Sequence, residues 1–265
     1  VDWQTIADPS RLARIMEAER PAAAPGLKQA YHALSLGFYQ GELLRRIDPK
    51  HRSLGQFFHE EIAAPLGLDF YVRLPQSIPV ARLAVLDHPS FWQLLVGLPL
   101  GLKIAAYNPR SDFYRTFIVN PGTELPRPKD TIYARNLEVP SGGGVGTARA
   151  IAKAYGVFAA GGKALGLKPE TLALLAAPAQ PAEEGFYDHI MQADIAYAYG
   201  FMKSAFAFTF GSPASYGAPG AGGALGFADP ERGLGYGYVT SRMGTVLIGD
   251  PRDVAIRQAL ASVIG

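Results

Sequence analysis

The chain of 265 residues contains no cysteine, which excludes a disulfide framework, a thiolate nucleophile and a cysteine-ligated zinc. Its 25 Lys and Arg stand against 23 Asp and Glu, so neither a nucleic-acid footprint nor a polybasic membrane patch is expected. Long apolar runs are missing too. Ala81 to Ala106 is interrupted by Asp87, His88 and Lys103, and Ile195 to Phe210 by Lys203; neither offers the roughly 18 clean apolar residues of a membrane span. Val1-Asp2-Trp3 opens no basic and apolar secretory leader, and we expect a cytoplasmic location. Several catalytic signatures are also absent. There is no G-x-S-x-G elbow, and no G-x-G-x-x-G or G-x-x-x-x-G-K, so Gly142 to Gly146 reads as a loop entering a helix. His32, His51, His59, His88 and His189 show no metal-ligand grouping, and His59-Glu60-Glu61 lacks a second histidine at zincin spacing. No cofactor or metal is expected.

What is present is a hydrophobic fraction of 48%, ample for a substantial core. Helical spacing dominates the first part. Leu12, Ile15 and Met16 share a face after Pro9-Ser10, and a breaker follows from Pro21 to Gly26. Tyr31 is then expected at the head of a helix whose stripe, Leu34, Phe38, Leu43, Leu44 and Ile47, stops at Asp48-Pro49. Arg45 to Arg52 is a basic cluster in a helix-to-helix turn, read as solvated. Ser53 and Gln56 form a capping box for a helix through Phe57, Phe58 and Ile62 that is expected to end at Pro65, with Glu60 and Glu61 structural. Asp69 to Val72 is a strand candidate and Ser90 to Ala106 an apolar helix. Asn108 to Pro140 reads as long loops, and helices are predicted over Thr147 to Phe158 and Pro169 to Ala177.

After about residue 190 the pattern changes to aromatic and β-branched alternation broken by glycine. Ala196 to Lys203 and Ala205 to Phe210 suggest strands, Ala224 to Ala228 and Leu234 to Arg242 a hairpin, and Asp250 to Val263 a closing helix. Helices first, then antiparallel strands, then a C-terminal helix make an α+β pattern. We expect a mainly helical region over 1–190 and a sheet with its helix over 191–265, both parts of one larger domain.

The stretch from Tyr31 to Pro75, beginning Tyr31-His32-Ala33-Leu34-Ser35-Leu36-Gly37, resembles the segment around the catalytic tyrosine of the serine β-lactamase, penicillin-binding-protein and family VIII carboxylesterase superfamily. Downstream, Tyr216-Gly217-Ala218-Pro219-Gly220-Ala221-Gly222-Gly223 is similar to that superfamily's strand-borne third motif. The resemblance implies a β-lactamase/transpeptidase-like fold. It also implies a nucleophile from an S-x-x-K motif, yet no serine here stands three residues ahead of a lysine. We therefore expect the chain alone to be inactive and a companion N-terminal segment or chain to supply the first strands and the serine-bearing helix; a sheet without those strands would leave an exposed edge.

Carried onto this sequence, the resemblance makes Tyr31 the proton shuttle between serine and leaving group, its phenolate favoured by the S-x-x-K lysine. The Ala221 N–H becomes one oxyanion-hole donor, the other being the serine's own N–H. Ala33 stands where β-lactamases commonly carry an asparagine, and Ala218 where relatives carry a cationic or imidazole side chain; Gly220 and Gly222 would let substrate approach the backbone. Both departures point to a small-molecule ester or lactone. The same residues leave open a β-lactamase or D-amino-acid-type peptidase, and a non-catalytic relative that binds a ligand or partner in the old cleft. As alternatives to core packing, Trp92 with Phe91, and Phe113 with Tyr114 and Phe117, are candidates to line an acyl pocket.

Overall fold

The computed structural model describes residues 2–117, 133–246 and 248–264. Two short helices come first, α1 (Trp3–Ala7) and α2 (Pro9–Ala18), capped by the carboxylates of Asp2 and Asp8. Helix α3 (Ser35–Ile47) follows, and then α4 (Leu54–Phe58), where the expected capping box is complete: Gln56 N donates to Ser53 Oγ at 3.2 Å and Ser53 N to Gln56 Oε1 at 2.9 Å. This helix does not stop at Pro65. It widens into a π turn (His59–Ala63), where Ala64 N reaches back to His59 O, and continues as α5 (Ala64–Leu66) with Pro65, which has no N–H to give, just past the widened turn. Gly67, at φ +60°, ends it.

Strand β1 (Phe70–Tyr71) pairs with β2 (Val145–Gly146). Between them the single helix expected over 90–106 is two, α6 (Phe91–Gly97) and α7 (Leu100–Tyr107), because Pro99 cannot continue the ladder. Helices α8 (Asp112–Phe117) and α9 (Tyr133–Asn136) interrupt the region expected as loops; 118–132 lie outside the described residues. Thr147 caps α10 (Ala148–Ala159), α11 (Pro169–Ala176) comes next, and α12 (Pro251–Ile264) closes the chain.

The basic cluster is not wholly solvated. Arg52 is buried and donates to Asp48 (2.8 and 3.0 Å), Glu60 (2.8 Å) and Glu61 (2.6 Å). Arg45 and Arg46 pair with Glu42, and Arg46 also with Glu17.

A short ladder joins β3 (Tyr187–Asp188) to β4 (Ala193–Asp194). The main sheet is an antiparallel meander of β5 (Tyr197–Ala198), β6 (Phe201–Lys203), β7 (Tyr216–Pro219), β8 (Leu225–Asp229) and β9 (Leu234–Tyr238), paired in that order. No strand forms over 205–210. Phe206 adopts φ +55°, and Ala205 and Phe208 exchange backbone hydrogen bonds at 3.1 Å in a tight turn. Strands β5 and β9 are the two edges of this sheet.

Alternation sorts the central strands onto two faces. Tyr216 and Ala228 pack with Ala159 and Tyr155 of α10. Leu225, Phe227 and Tyr236 turn the other way into the core with Ile195, Met202, Phe208 and Phe210. On the first face glycine permits a close approach: a Cβ at Gly235 would lie 2.1 Å from Gly156 N, and one at Gly237 2.5 Å from Ala148 O. On the second, the Tyr236 hydroxyl donates to Asp253 of α12 at 2.9 Å, and Arg257 holds the same carboxylate at 2.8 Å.

Candidate active site

Tyr31 is not at a helix head. It lies four residues before α3, in an extended segment laid along residues 182–189. Glu183 N donates to Gly26 O (3.0 Å), Glu184 N to Leu27 O (2.9 Å) and His189 N to Gln29 O (3.2 Å). The Gln29 amide adds a clamp, with Nε2 donating to Phe186 O (2.5 Å) and Ile195 O (2.6 Å). These bonds fix the backbone two residues before the phenol.

The ring of Tyr31 packs between two apolar groups, one containing Leu102, Ala105, Phe113 and Ile190, the other Ile195, Phe208, Leu225 and Phe227. Phe117 stacks on it, with centroids 6.4 Å apart. Burial raises the phenol's pKa above the ordinary tyrosine value, and the charge of Asp188 raises it further. Within the described residues the phenol is thus held protonated; the lysine invoked by the resemblance would act against this.

Asp188 is fully buried. Its Oδ1 accepts from Ile190 N (2.9 Å) and Met191 N (2.8 Å), and its Oδ2 from the Tyr197 hydroxyl (3.1 Å). Burial and this carboxylate push the Tyr197 phenol far up as well. Neither residue stood out in the sequence, since more than 150 positions separate Asp188 from Tyr31 and neither belongs to a motif.

Beyond Tyr31, His32 is exposed and its Nδ1 hydrogen-bonds Ala30 O at 2.8 Å; Ala33 is half-buried. Leu34 and Phe38 pack with Ile6, Leu74 and Val139. Gly37 is required because the Ser141 loop runs against it: Gly37 N donates to Ser141 Oγ at 2.8 Å, and a Cβ would meet Ser141 N at 2.6 Å.

The second motif forms the end of β7 and its turn into β8. Ala218 pairs with Gly226 and is exposed. The turn is closed by Gly220 N donating to Ala224 O (2.7 Å) and Gly223 N to Gly220 O (3.1 Å), and Ala221 sits exposed at its tip. Gly222 and Gly223 adopt φ of +84° and +106°. Cβ atoms there would meet Met243 at 2.7 Å and Asp250 at 2.6 Å, so these two glycines serve packing. Asp250 binds Arg252 at 2.7 and 2.9 Å, and its carboxyl is held below the usual range by that guanidinium; Arg252 also donates to Gly222 O at 3.3 Å. Tyr31 and Leu225, just past the turn, border the same apolar cluster.

Among the aromatic candidates, Phe117 stacks on Tyr31 and Phe113 is buried in the cluster against which Tyr31 packs, whereas Trp92 is mostly exposed; the Phe91 side chain lies outside the described residues. Among the described residues no group of three His, Asp or Glu converges to hold a metal, and no helix is long and apolar enough to cross a membrane.

Comparison with known proteins agrees with this architecture. The chain is 26% identical over 238 residues to the esterase/beta-lactamase LipL of Mycobacterium tuberculosis, an alignment spanning 88% of this chain and 54% of that protein. A family VIII carboxylesterase crystal structure superposes with a TM-score of 0.79 at 30% identity, covering 98% of this chain and 65% of that one. A penicillin-binding protein homolog from Caulobacter crescentus gives 0.74 at 28%, covering 97% and 65%. The chain thus spans about half the length of the curated relative and about two thirds of these solved structures. Its sequence also matches the family model described as Beta-lactamase over residues 2–261, and with the helices, meander and closing helix arranged as described, the chain belongs to that family.

Proposed function

We propose that this chain is part of a serine hydrolase that cleaves carboxylic esters through an acyl-enzyme, with the nucleophilic serine and its lysine supplied by a segment outside the chain. The observation that carries the reading is Tyr31, a half-buried phenol on a backbone clamped by Gln29, bordering the same apolar cluster as the β7 turn. In the proposed reaction the Tyr31 phenolate takes the serine hydroxyl proton as the serine oxygen bonds to the ester carbonyl carbon. The tetrahedral oxyanion accepts from Ala221 N–H and from the serine's own N–H. On collapse the ester C–O bond breaks and Tyr31 returns the proton to the departing alkoxide; water then attacks the acyl-enzyme by the same route.

Ala33 carries no amide to contact a β-lactam side chain, and the exposed Ala218 carries no group to bind a substrate carboxylate, which supports a neutral ester over a β-lactam. The names carried by the relatives, a family VIII carboxylesterase and an esterase/beta-lactamase, are compatible with this. Support for a companion segment comes from the edge strand β9 and from α3, where Leu36, Tyr39, Leu43 and Ile47 form an exposed apolar stripe, Ile47 at 77%. On this reading 1–190 and 191–265 are parts of one catalytic domain. The absence of cysteine permits the proposed cytoplasmic setting, since no disulfide is needed.

The test uses the complete protein, with its serine-bearing segment. It is expected to be labelled by a fluorophosphonate ester, to hydrolyse a short-chain p-nitrophenyl ester faster than a chromogenic cephalosporin, and to lose turnover in Tyr31→Phe by a factor of about 10² or more. Turnover that persists in Tyr31→Phe removes Tyr31 from the chemistry.

A further inference from the structure

Helices α6 and α7 hold five large apolar side chains in water, Trp92, Val96, Leu100, Ile104 and Tyr107, each 64–75% exposed. Trp92 and Val96 stand one turn apart on α6, and Leu100, Ile104 and Tyr107 follow at four- and three-residue steps on α7, so each helix turns one apolar edge outward. Only Leu98 and Pro99 separate the two helices. The inner side of α7 is apolar as well: Leu102 and Ala105 are buried in the cluster against which Tyr31 packs. A helix apolar all round is ordinarily enclosed, and from Phe91 to Tyr107 the sequence holds a single charge, Lys103.

The surrounding charge narrows what can cover this face. From Val85 to Phe117 the acids are Asp87 and Asp112, and the lysines and arginines are Lys103, Arg110 and Arg115. Asp87 pairs with Arg242 at 3.3 Å and Asp112 with Arg115 at 3.9 Å. Lys103, beside Ile104, and Arg110, three residues past Tyr107, have no acidic partner among the described residues. An apolar edge with an aromatic residue at either end and unneutralised cations at its side has the composition of an element that lies in a lipid–water boundary. A two-fold contact between copies of this chain would instead bring the Lys103 and Arg110 of both copies onto one interface, like charge against like.

We propose that the α6–α7 edge docks this protein on an anionic phospholipid surface, with the five apolar side chains entering the acyl boundary and Lys103 and Arg110 meeting headgroup phosphates. The helices lie along the surface and do not cross it: α7, with 8 residues, is about 12 Å long against a hydrocarbon core of about 30 Å. The proposal adds a location to the reading of the chain as part of an ester hydrolase and does not depend on it.

The test is flotation of the complete protein, with its serine-bearing segment, on vesicles of phosphatidylcholine with phosphatidylglycerol and on vesicles of phosphatidylcholine alone. The wild type is expected to float with the anionic vesicles and less with the neutral ones. Leu100→Glu with Ile104→Glu should lower the partition coefficient on both by about tenfold or more; both side chains are exposed, so the core is untouched. Lys103→Gln with Arg110→Gln should lower it about fivefold per cation on anionic vesicles and leave the neutral ones unchanged. A wild type that floats with neither vesicle, as when the companion segment covers the face, overturns the proposal. So does flotation that survives the paired glutamates, or a self-associated state in sedimentation velocity that those glutamates dissolve. Flotation measures no turnover, so it fails independently of the ester-hydrolase reading.

Discussion

Two glycines that face each other across the α10–β9 contact are expected to respond with opposite signs to the same substitution. A methyl group at Gly235 would lie 2.1 Å from Gly156 N, 2.3 Å from Ala152 O and 2.4 Å from Gly156 Cα. Carbon atoms rest at roughly 3.5–4.0 Å, and these neighbours are helix backbone, which cannot rotate aside. Helix α10 would have to retreat by about 1 Å or more, undoing its seat on β8 and β9. Overpacking of this kind typically costs about 1–3 kcal/mol, and backbone against backbone belongs at the upper end. The reverse substitution meets no such obstacle. A Cβ at Gly156 finds Gly235 Cα at 3.9 Å, an ordinary contact, and replaces a glycine inside a helix; alanine there is worth about 0.8–1 kcal/mol. For a chain of this size 1 kcal/mol moves Tm by roughly 2–4 °C. Gly235→Ala should therefore melt about 4–10 °C below the wild type and Gly156→Ala about 2–4 °C above it, followed by circular dichroism with denaturant midpoints as a check. Equal signs, or an unchanged Gly235→Ala, would refute the claim that glycine sets this helix-to-sheet distance.

Lys203→Met should destabilise the chain by about 1–3 kcal/mol, because Leu175 O, Ala176 O and Ala214 O lose the ammonium that donates to them at 2.6, 3.2 and 3.0 Å. Burial pulls the Lys203 pKa down to about 8, while an unfolded lysine holds its proton to about 10.4. Between those values the unfolded state binds the extra proton, so the wild type should gain stability relative to Lys203→Met as pH rises through this window; guanidinium midpoints at pH 7 and 9.5 measure the gap, and a shrinking gap contradicts the reading. At the other end of the pH scale, the Arg52 guanidinium holds the Asp48 carboxyl well below the usual carboxylate range. The stability this confers is present above the unfolded pKa of about 3.9 and is lost as pH falls below it. Arg52→Gln should be less stable than wild type at pH 7, with the difference closing in an acid titration below about pH 4.

Local chemistry was legible wherever a feature is decided within a few residues. The Ser53 and Gln56 capping box, the helix expected from Thr147 and the β8–β9 hairpin all rest on near-neighbour rules. Pattern alone misled where one residue overrode it. Pro99 split an apolar helix, and Phe206, in a left-handed conformation, converted aromatic alternation into a turn. The site was legible only as far as its motifs. Tyr31 and the turn at Ala221 could be named, but Gln29 fixes the Tyr31 segment through bonds to Phe186 and Ile195, more than 150 positions away, and Asp188 and Tyr197, bonded to each other, are as distant in sequence.

The glycines of the second motif show why motif and mechanism separate. Gly222 and Gly223 need positive φ, and their missing side chains admit Met243 and Asp250, which bring in Arg252 to hold Gly222 O. The demand for glycine thus comes from beneath the turn, from packing. What the packing achieves is to fix a two-glycine shoulder, so that Ala221 stands exposed at the tip with the turn's two closing N–H bonds made by Gly220 and Gly223. A donor that must meet an oxyanion needs that rigidity more than any side chain, since its stabilising power lies in being oriented before charge develops. The glycines can therefore be structural in every contact they make and still be the reason the turn is suited to the role proposed for it.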